Sequence, residues 1–243
     1  MSDQHIVSSF TEDMNELDSL VLQMGGLVEQ QLKDATIALK KEDRELAKKV
    51  LKGDAAVNEL EATLNDAAIR ILALRQPVAM DLRNVVVSLK IARHLERMGD
   101  YSKNIGRRTN TIAKAEAFTG SVGTLVRMSE KVQSMLKSGL DAYSQRDAEK
   151  AESVRAEDQQ VDQMLNTLFR ELLTYMMEDA RNISGAMHLL FMAKNIERIG
   201  DHIADIAKET IYMVTGEWPQ ERRNKEDKTS KMIVDIADNE AID

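Results

Sequence analysis

A pentapeptide recurs in this chain: Glu96-Arg97-Met98-Gly99-Asp100 returns as Glu197-Arg198-Ile199-Gly200-Asp201, 101 positions later (197 − 96 = 101). The likeness runs outward, with Ile91, Leu95, Met98 and Ile105 matched by Met192, Ile196, Ile199 and Ile206. Each copy sets two carboxylates four residues apart, on one turn of a helix, where like charges cost roughly a few tenths of a kcal/mol. Each also carries a mid-helix glycine, at roughly 1 kcal/mol against alanine. A chain that repeats both penalties is organised around those groups, and it must fold as two copies of one unit.

Apolar residues recur at helical spacing along almost the whole chain. A first helix carries Phe10, Leu17, Leu20, Val21, Met24, Val28, Leu32 and Leu39. It breaks near Glu42-Asp43, where Asp43 is placed to cap the next helix. A second carries Leu46, Val50, Val57, Leu60, Leu64, Ala68 and Ile71, and Gln76-Pro77 ends it. A third runs from about Ala79 to about Ala115. The second half repeats this: Met24, Val28, Leu32, Asp43, Val50, Asp54 and Val57 match Met128, Val132, Leu136, Asp147, Val154, Asp158 and Val161, offset by 104 (128 − 24 = 104). The change of offset places three fewer residues near the second hairpin turn, around Glu178 to Asn182. Phe118-Thr119-Gly120 and Gly123 mark the junction, and Gly216, Trp218 and Pro219 end the last helix. The expected fold class is all-α, two tandem three-helix bundles related by an internal repeat. The first repeat covers residues 1–117 and the second 118–216. A charged, mobile C-terminal tail covers 217–243, in which Met232, Ile233 and Ile236 are candidates for a short docking helix.

Composition agrees: 2 prolines, 11 glycines and 4% aromatics suit long amphipathic helices better than sheets. With no cysteine, disulfides and thiolate metal sites are excluded. A net charge of −8 argues against a nucleic-acid surface, so Lys103, Arg107, Arg108 and Lys114 read as a solvated helix face. Met1 to Phe10 has no basic region followed by an apolar run, and no apolar stretch is long enough to span a bilayer.

The direction of the carboxylates follows from the helical wheel. With Leu95 on the core stripe, Glu96 and Asp100 sit roughly 100° to 140° around from it, flanking the core. Asp54, Asn58 and Glu61 lie on the same flank of the second helix, and like flanks meet across an antiparallel pair. Depth agrees, since Asp54 and Asp100 are each 23 residues from Pro77 (77 − 54 = 23; 100 − 77 = 23). The second hairpin sets Asp158 and Asp162 against Glu197 and Asp201. Each hairpin is thus expected to present three or four oxygen-bearing side chains on one surface patch, with Gly99 or Gly200 leaving room beside it.

Clustered carboxylates require cations, and an oxygen-only set suits Mg²⁺, Ca²⁺, Mn²⁺ or iron. The bland alternative is a solvated acidic face neutralised by Arg93, Arg97 and Arg198. The expected metal ligands are Asp54, Glu96 and Asp100 in the first repeat and Asp158, Asp162, Glu197, Asp201 and Asp205 in the second, the ion being Mg, Mn, Fe or Zn. His94 and His202 flank the motifs without corresponding between copies; His202 is a candidate ligand, but reads first as an exposed or hydrogen-bonded histidine. The Glu-x-x-His pair of di-iron bundles is absent, as are a glycine-rich phosphate loop and a nucleophile elbow. A metal-dependent enzyme or a metal-storage bundle is the alternative to a non-enzymatic protein.

These residues resemble the PhoU family of phosphate-signalling proteins. The resemblance rests on Met24-Gly25-Gly26-Leu27-Val28, on Gln76-Pro77 with Asp81-Leu82-Arg83, on Tyr175 to Asp179 and above all on the two acidic motifs. It covers about residues 8 to 215. It implies metal clusters on the motif-bearing helices and a cytoplasmic, membrane-peripheral regulator of phosphate uptake. It also implies an adaptor between the ATPase side of a phosphate ABC transporter and a sensor histidine kinase, acting as a homodimer that represses the phosphate-starvation response. Asn58 and Asn104 replace the second copy's Asp162 and Asp205, which predicts a looser first cluster.

Overall fold

A computed structural model describes residues 2–112, 119–219 and 225–229. Among the described residues there are six long helices and no strand: α1 Ser2–Lys41, α2 Arg44–Arg75, α3 Ala79–Ile112, α4 Thr119–Gln145, α5 Ala148–Glu178 and α6 Ile183–Thr215. A 3₁₀ turn, Ala180–Asn182, joins α5 to α6.

The repeat is visible in the turns. Asp43 caps α2 by accepting the Leu46 amide, and Asp147 caps α5 by accepting the Lys150 amide, both at 2.9 Å. The residue before each cap, Glu42 or Arg146, is left-handed (φ 55° and 56°), and each cap amide closes the preceding helix on Ala38 or Ala142 at 2.9 Å. Such a conformation in a non-glycine residue is uncommon, and the packed helices on either side hold it. The last helix ends on Gly216 at φ 80°, where a residue without Cβ is favoured. Gly120 and Gly123 do not form a loop between the repeats; they lie within the first turns of α4.

Within each repeat the three helices pack on one another, and the repeats meet through α1 against α4 and α3 against α6. Both seams are antiparallel. Along α3 and α6, Arg83 meets Tyr212, Lys90 meets Glu209, His94 meets His202, and Arg108 meets Phe191. Along α1 and α4, Thr36 meets Ser129, and Asp18 meets Arg146 just past the end of α4. Antiparallel packing of corresponding helices is what a twofold perpendicular to the helices gives. Gly25 gives the second seam its closeness, because a Cβ there would overlap Leu140. One continuous apolar core, including Leu17, Met24, Leu32, Leu64, Leu95, Met128, Leu168 and Ile199, runs through both repeats.

Of the cationic group expected as a solvated face, Arg107 is exposed, but Lys103 and Arg108 are engaged. Lys103 is half-buried on two carboxylates, and the Arg108 guanidinium lies 4.3 Å from the Phe191 ring. The tail also departs from expectation: residues 225–229 are seated on α5 and α6. Lys114, Phe118, Met232, Ile233 and Ile236 lie outside the described residues.

Candidate metal centre

In the first repeat α2 and α3 bring Asp54, Glu96 and Asp100 to one face. The Lys103 ammonium bridges Asp54 and Asp100, at 2.5 and 2.8 Å. Burial alone would lower the Lys103 pKa, but the hydrogen bonds it donates to Asp100 and Asp54 outweigh it and raise it. Arg93 joins Glu96 at 3.1 Å to Glu61 at 3.7 Å, and Arg97 lies 3.7 Å from both Glu96 and Asp100. Burial, outweighing Arg93, pushes the Glu96 carboxyl above its usual range. Asn58 is exposed, and Asn104 accepts from Arg107. Arg198, expected among the neutralising arginines, stacks over the Tyr101 ring.

The second repeat is deeper than a surface patch. Asp158 is 1%, Asp162 0% and Glu197 2% exposed. Three carboxylates this far from water require cationic or hydrogen-bonding partners. Lys194 lies 3.1 Å from Glu197, and Lys225 lies 2.7 Å from Asp201 and 3.7 Å from Glu197. Burial first, and then the Asp201 charge, push the Glu197 carboxyl above its usual range.

The tail supplies much of this cover. The Glu226 amide donates to Asp162 at 2.8 Å, and Asp227 accepts from Lys194 at 2.7 Å. Asn166 clamps the segment, donating to the Glu226 carbonyl at 2.6 Å and accepting from the Lys228 amide at 2.9 Å. Nothing in the apolar periodicity foretold this, because the segment has none.

The two motif glycines differ in the room beside them. A Cβ at Gly200 would lie 2.7 Å from Asp158 Oδ1, whereas one at Gly99 would lie 3.3 Å from Gln31 Oε1 and 3.8 Å from Asp54 Oδ1. Both clusters therefore carry the same construction: an oxygen donor set, a glycine that admits the aspartate of the neighbouring helix, and an ammonium on the carboxylates. The donor chemistry is of the kind a hard divalent ion takes, and in this structure the lysines supply the positive charge.

Asp205 goes elsewhere. Among the described residues, the group of three ligand atoms found within 4.8 Å of one another is His94, His202 and Asp205. The two Nδ1 atoms are 2.8 Å apart, and Tyr101 stacks on His202 with ring centroids 5.6 Å apart. Burial lowers His94 to about 4, against the opposing pull of Asp205, and lowers His202 as well. Both rings are thus neutral at pH 7, one donating to the other. Sequence reasoning missed this pair because the histidines occupy non-corresponding positions and meet only through the α3–α6 seam.

Comparison with known proteins agrees with this geometry. The PhoU domain matches twice, over residues 21–109 and 125–210, the second match ending before the docked tail segment. The phosphate-specific transport system accessory protein PhoU homolog of Rhizobium meliloti (strain 1021) is 44% identical over 232 residues, covering 96% of this chain and 98% of that protein. Its Escherichia coli (strain K12) counterpart, the phosphate-specific transport system accessory protein PhoU, is 39% identical over 214 residues, 88% of each chain. The crystal structure of PhoU from Pseudomonas aeruginosa superposes with a TM-score of 0.81 at 38% identity, covering 86% of this chain and all (100%) of that one. That of the phosphate transport system regulatory protein PhoU from Streptococcus pneumoniae gives 0.81 at 30% identity, covering 87% and 99%. With the doubled acidic motif, the twin three-helix bundles and these matches along nearly its whole length, the chain belongs to the PhoU family.

Proposed function

We propose that this chain is a regulatory accessory protein of phosphate-specific transport. In this reading it is a cytoplasmic protein at the inner face of the membrane, contacting the ATPase side of a phosphate ABC transporter. It also contacts a phosphate sensor histidine kinase, repressing the phosphate-starvation response when phosphate is plentiful. The observation that carries the reading is the full-length likeness to proteins named as transport accessories, 44% identical across 96% of this chain. No helix among the described residues is long and apolar enough to cross a membrane, so contact with a transporter is peripheral in this reading.

The carboxylate clusters are the metal-binding part of the proposal. Asp54, Glu96 and Asp100 would hold one divalent ion, and Asp158, Asp162, Glu197 and Asp201 another. A bound ion would supply positive charge where the lysines now supply it, tying α2 to α3 and α5 to α6. It would thereby set the surface offered to partners, including a second copy in a homodimer. A non-enzymatic role accords with the accessory and regulatory names of the relatives.

The test is genetic. Deleting the gene should leave phosphate-starvation genes expressed in phosphate-rich medium, and the tagged chain should co-purify with the transporter's ATPase subunit. Unchanged repression in the deletion strain would overturn the regulatory reading.

A further inference from the structure

We propose that His94, His202 and Asp205 form a binding site for a borderline divalent ion of the Zn²⁺ class, separate from the carboxylate clusters and bridging the two repeats. The site lies on the α3–α6 seam, with His94 from the first repeat and His202 and Asp205, three residues apart on one face, from the second. The three ligand atoms already lie within 4.8 Å of one another. Two imidazole nitrogens and one carboxylate oxygen suit Zn²⁺, Co²⁺ or Ni²⁺ better than Mg²⁺ or Ca²⁺, which prefer all-oxygen sets.

The geometry needs little change. Zn–N bonds of about 2.0–2.1 Å at tetrahedral angles put two ligand nitrogens about 3.3 Å apart. The Nδ1 atoms are 2.8 Å apart across a shared proton, so a slight parting of the rings admits an ion in that proton's place. The donor ring then carries its proton on Nε2, no proton leaves the protein, and both Nδ1 lone pairs face the ion. Tyr101 stacks on His202 and fixes its plane. Asp205 is exposed, which leaves a side open for a water ligand and for entry of the ion.

The nearby cations are occupied. Lys90 is paired with Glu209 and Lys208 lies over the Trp218 ring, while Arg198 lies over Tyr101. Arg97, the remaining cation near His202, is held by Glu96 and Asp100. The twofold makes a second argument. Applied to this triad, it gives Asn195, Tyr101 and Asn104, a set with no metal-binding character. The ligand trio thus exists on one side of the axis only, so it is a property of this sequence and not a by-product of the duplicated helix.

The probe is Co²⁺ added to the full chain, read by visible absorption, since tetrahedral nitrogen-ligated Co²⁺ absorbs far more strongly than the octahedral ion. One equivalent should give the intense band, and Zn²⁺ should bleach it. His94→Asn and Asp205→Asn place in one repeat the amides the other already carries at Asn195 and Asn104, so both should keep the parent's circular dichroism. Each should weaken Co²⁺ binding by about 10–100-fold or more. Glu197→Gln with Asp201→Asn should leave the band in place, which separates this site from the carboxylate reading. Absence of the band in the parent overturns the proposal. So does a band that survives in both asparagine variants, or one lost only in the Glu197/Asp201 variant.

Discussion

Lys225 reaches Asp201 at 2.7 Å from 24 residues further along the chain, and takes on the second acidic motif the part that Lys103 takes on Asp100 in the first. The repeat position corresponding to Lys103 is Ala204, which has no charge to offer (204 − 103 = 101). Asp100 and Asp201 are thus neutralised by different means, one by a lysine of its own helix and one by a lysine of the tail.

That difference separates the two lysines experimentally. Lys225→Ala should raise the affinity of the second cluster for Mn²⁺ by about tenfold, since removing one competing charge at a partly exposed site is worth about 1.4 kcal/mol. Lys103→Ala should do the same for the first cluster. It should also lower metal-free stability by about 1–3 kcal/mol, because Asp54 is buried and loses its cation. Mn²⁺ titration and urea unfolding read both effects. Equal Mn²⁺ affinity in Lys225→Ala and parent would mean the tail does not guard the site.

The motif glycines should not be equivalent. Replacing either by alanine gains roughly 1 kcal/mol of helix propensity. At Gly200 the new Cβ would meet Asp158 Oδ1 at 2.7 Å, inside a packed seam. Overpacking costs about 1–3 kcal/mol, so Gly200→Ala should be destabilised and should bind Mn²⁺ less well. Gly99→Ala, with its nearest contact at 3.3 Å on a side-chain amide, should be close to neutral. A more stable Gly200→Ala protein would show that Asp158 moves away freely.

Much of this could be read from residues alone. The helices, the Asp43 and Asp147 caps, the break at Pro77 and the glycines beside the aspartates follow from a 3.6-residue period and a repeat offset. The wheel placed Glu197 correctly on a flank, yet could not show it buried, because the cover comes from Lys225 to Asp227, a segment without periodicity. The meeting of His94 with His202, and with it the place of Asp205, depends on how the two repeats cross. A repeat offset shows that two units exist and says nothing of their mutual orientation.

The histidine pair predicts a pH dependence with a definite sign. His94 binds its proton near pH 4 in the folded protein, against 6.5 for an unperturbed imidazole, because burial outweighs Asp205. Between those values the unfolded chain holds the extra proton. The His94 contribution is therefore fully present above pH 6.5 and is lost as the pH falls toward 4. The urea midpoint of the parent should fall across that window, and that of His94→Asn should fall less. Parallel curves would mean that His94 protonates freely in the fold.

The two carboxylate sets should fill in order. Asp158, Asp162, Glu197 and Asp201 outnumber Asp54, Glu96 and Asp100 by one charge, worth about tenfold in affinity. With Lys225 replaced by alanine to remove the tail's competition, the second set should be the tighter Mn²⁺ site. Glu197→Gln with Asp201→Asn should abolish the tight phase, and Glu96→Gln with Asp100→Asn the weak one. A tighter first site would mean that Glu61 or another neighbour contributes more than the charge count allows.

The most direct test joins the clusters to regulation in one strain. In cells deleted for the gene and grown in phosphate-rich medium, the wild-type chain should restore repression of the phosphate-starvation genes. A chain carrying Glu96→Gln, Asp100→Asn, Glu197→Gln and Asp201→Asn, expressed at the same level and equally helical, should leave them expressed. Full repression by that variant would contradict the claim that the paired carboxylate clusters carry the protein's function.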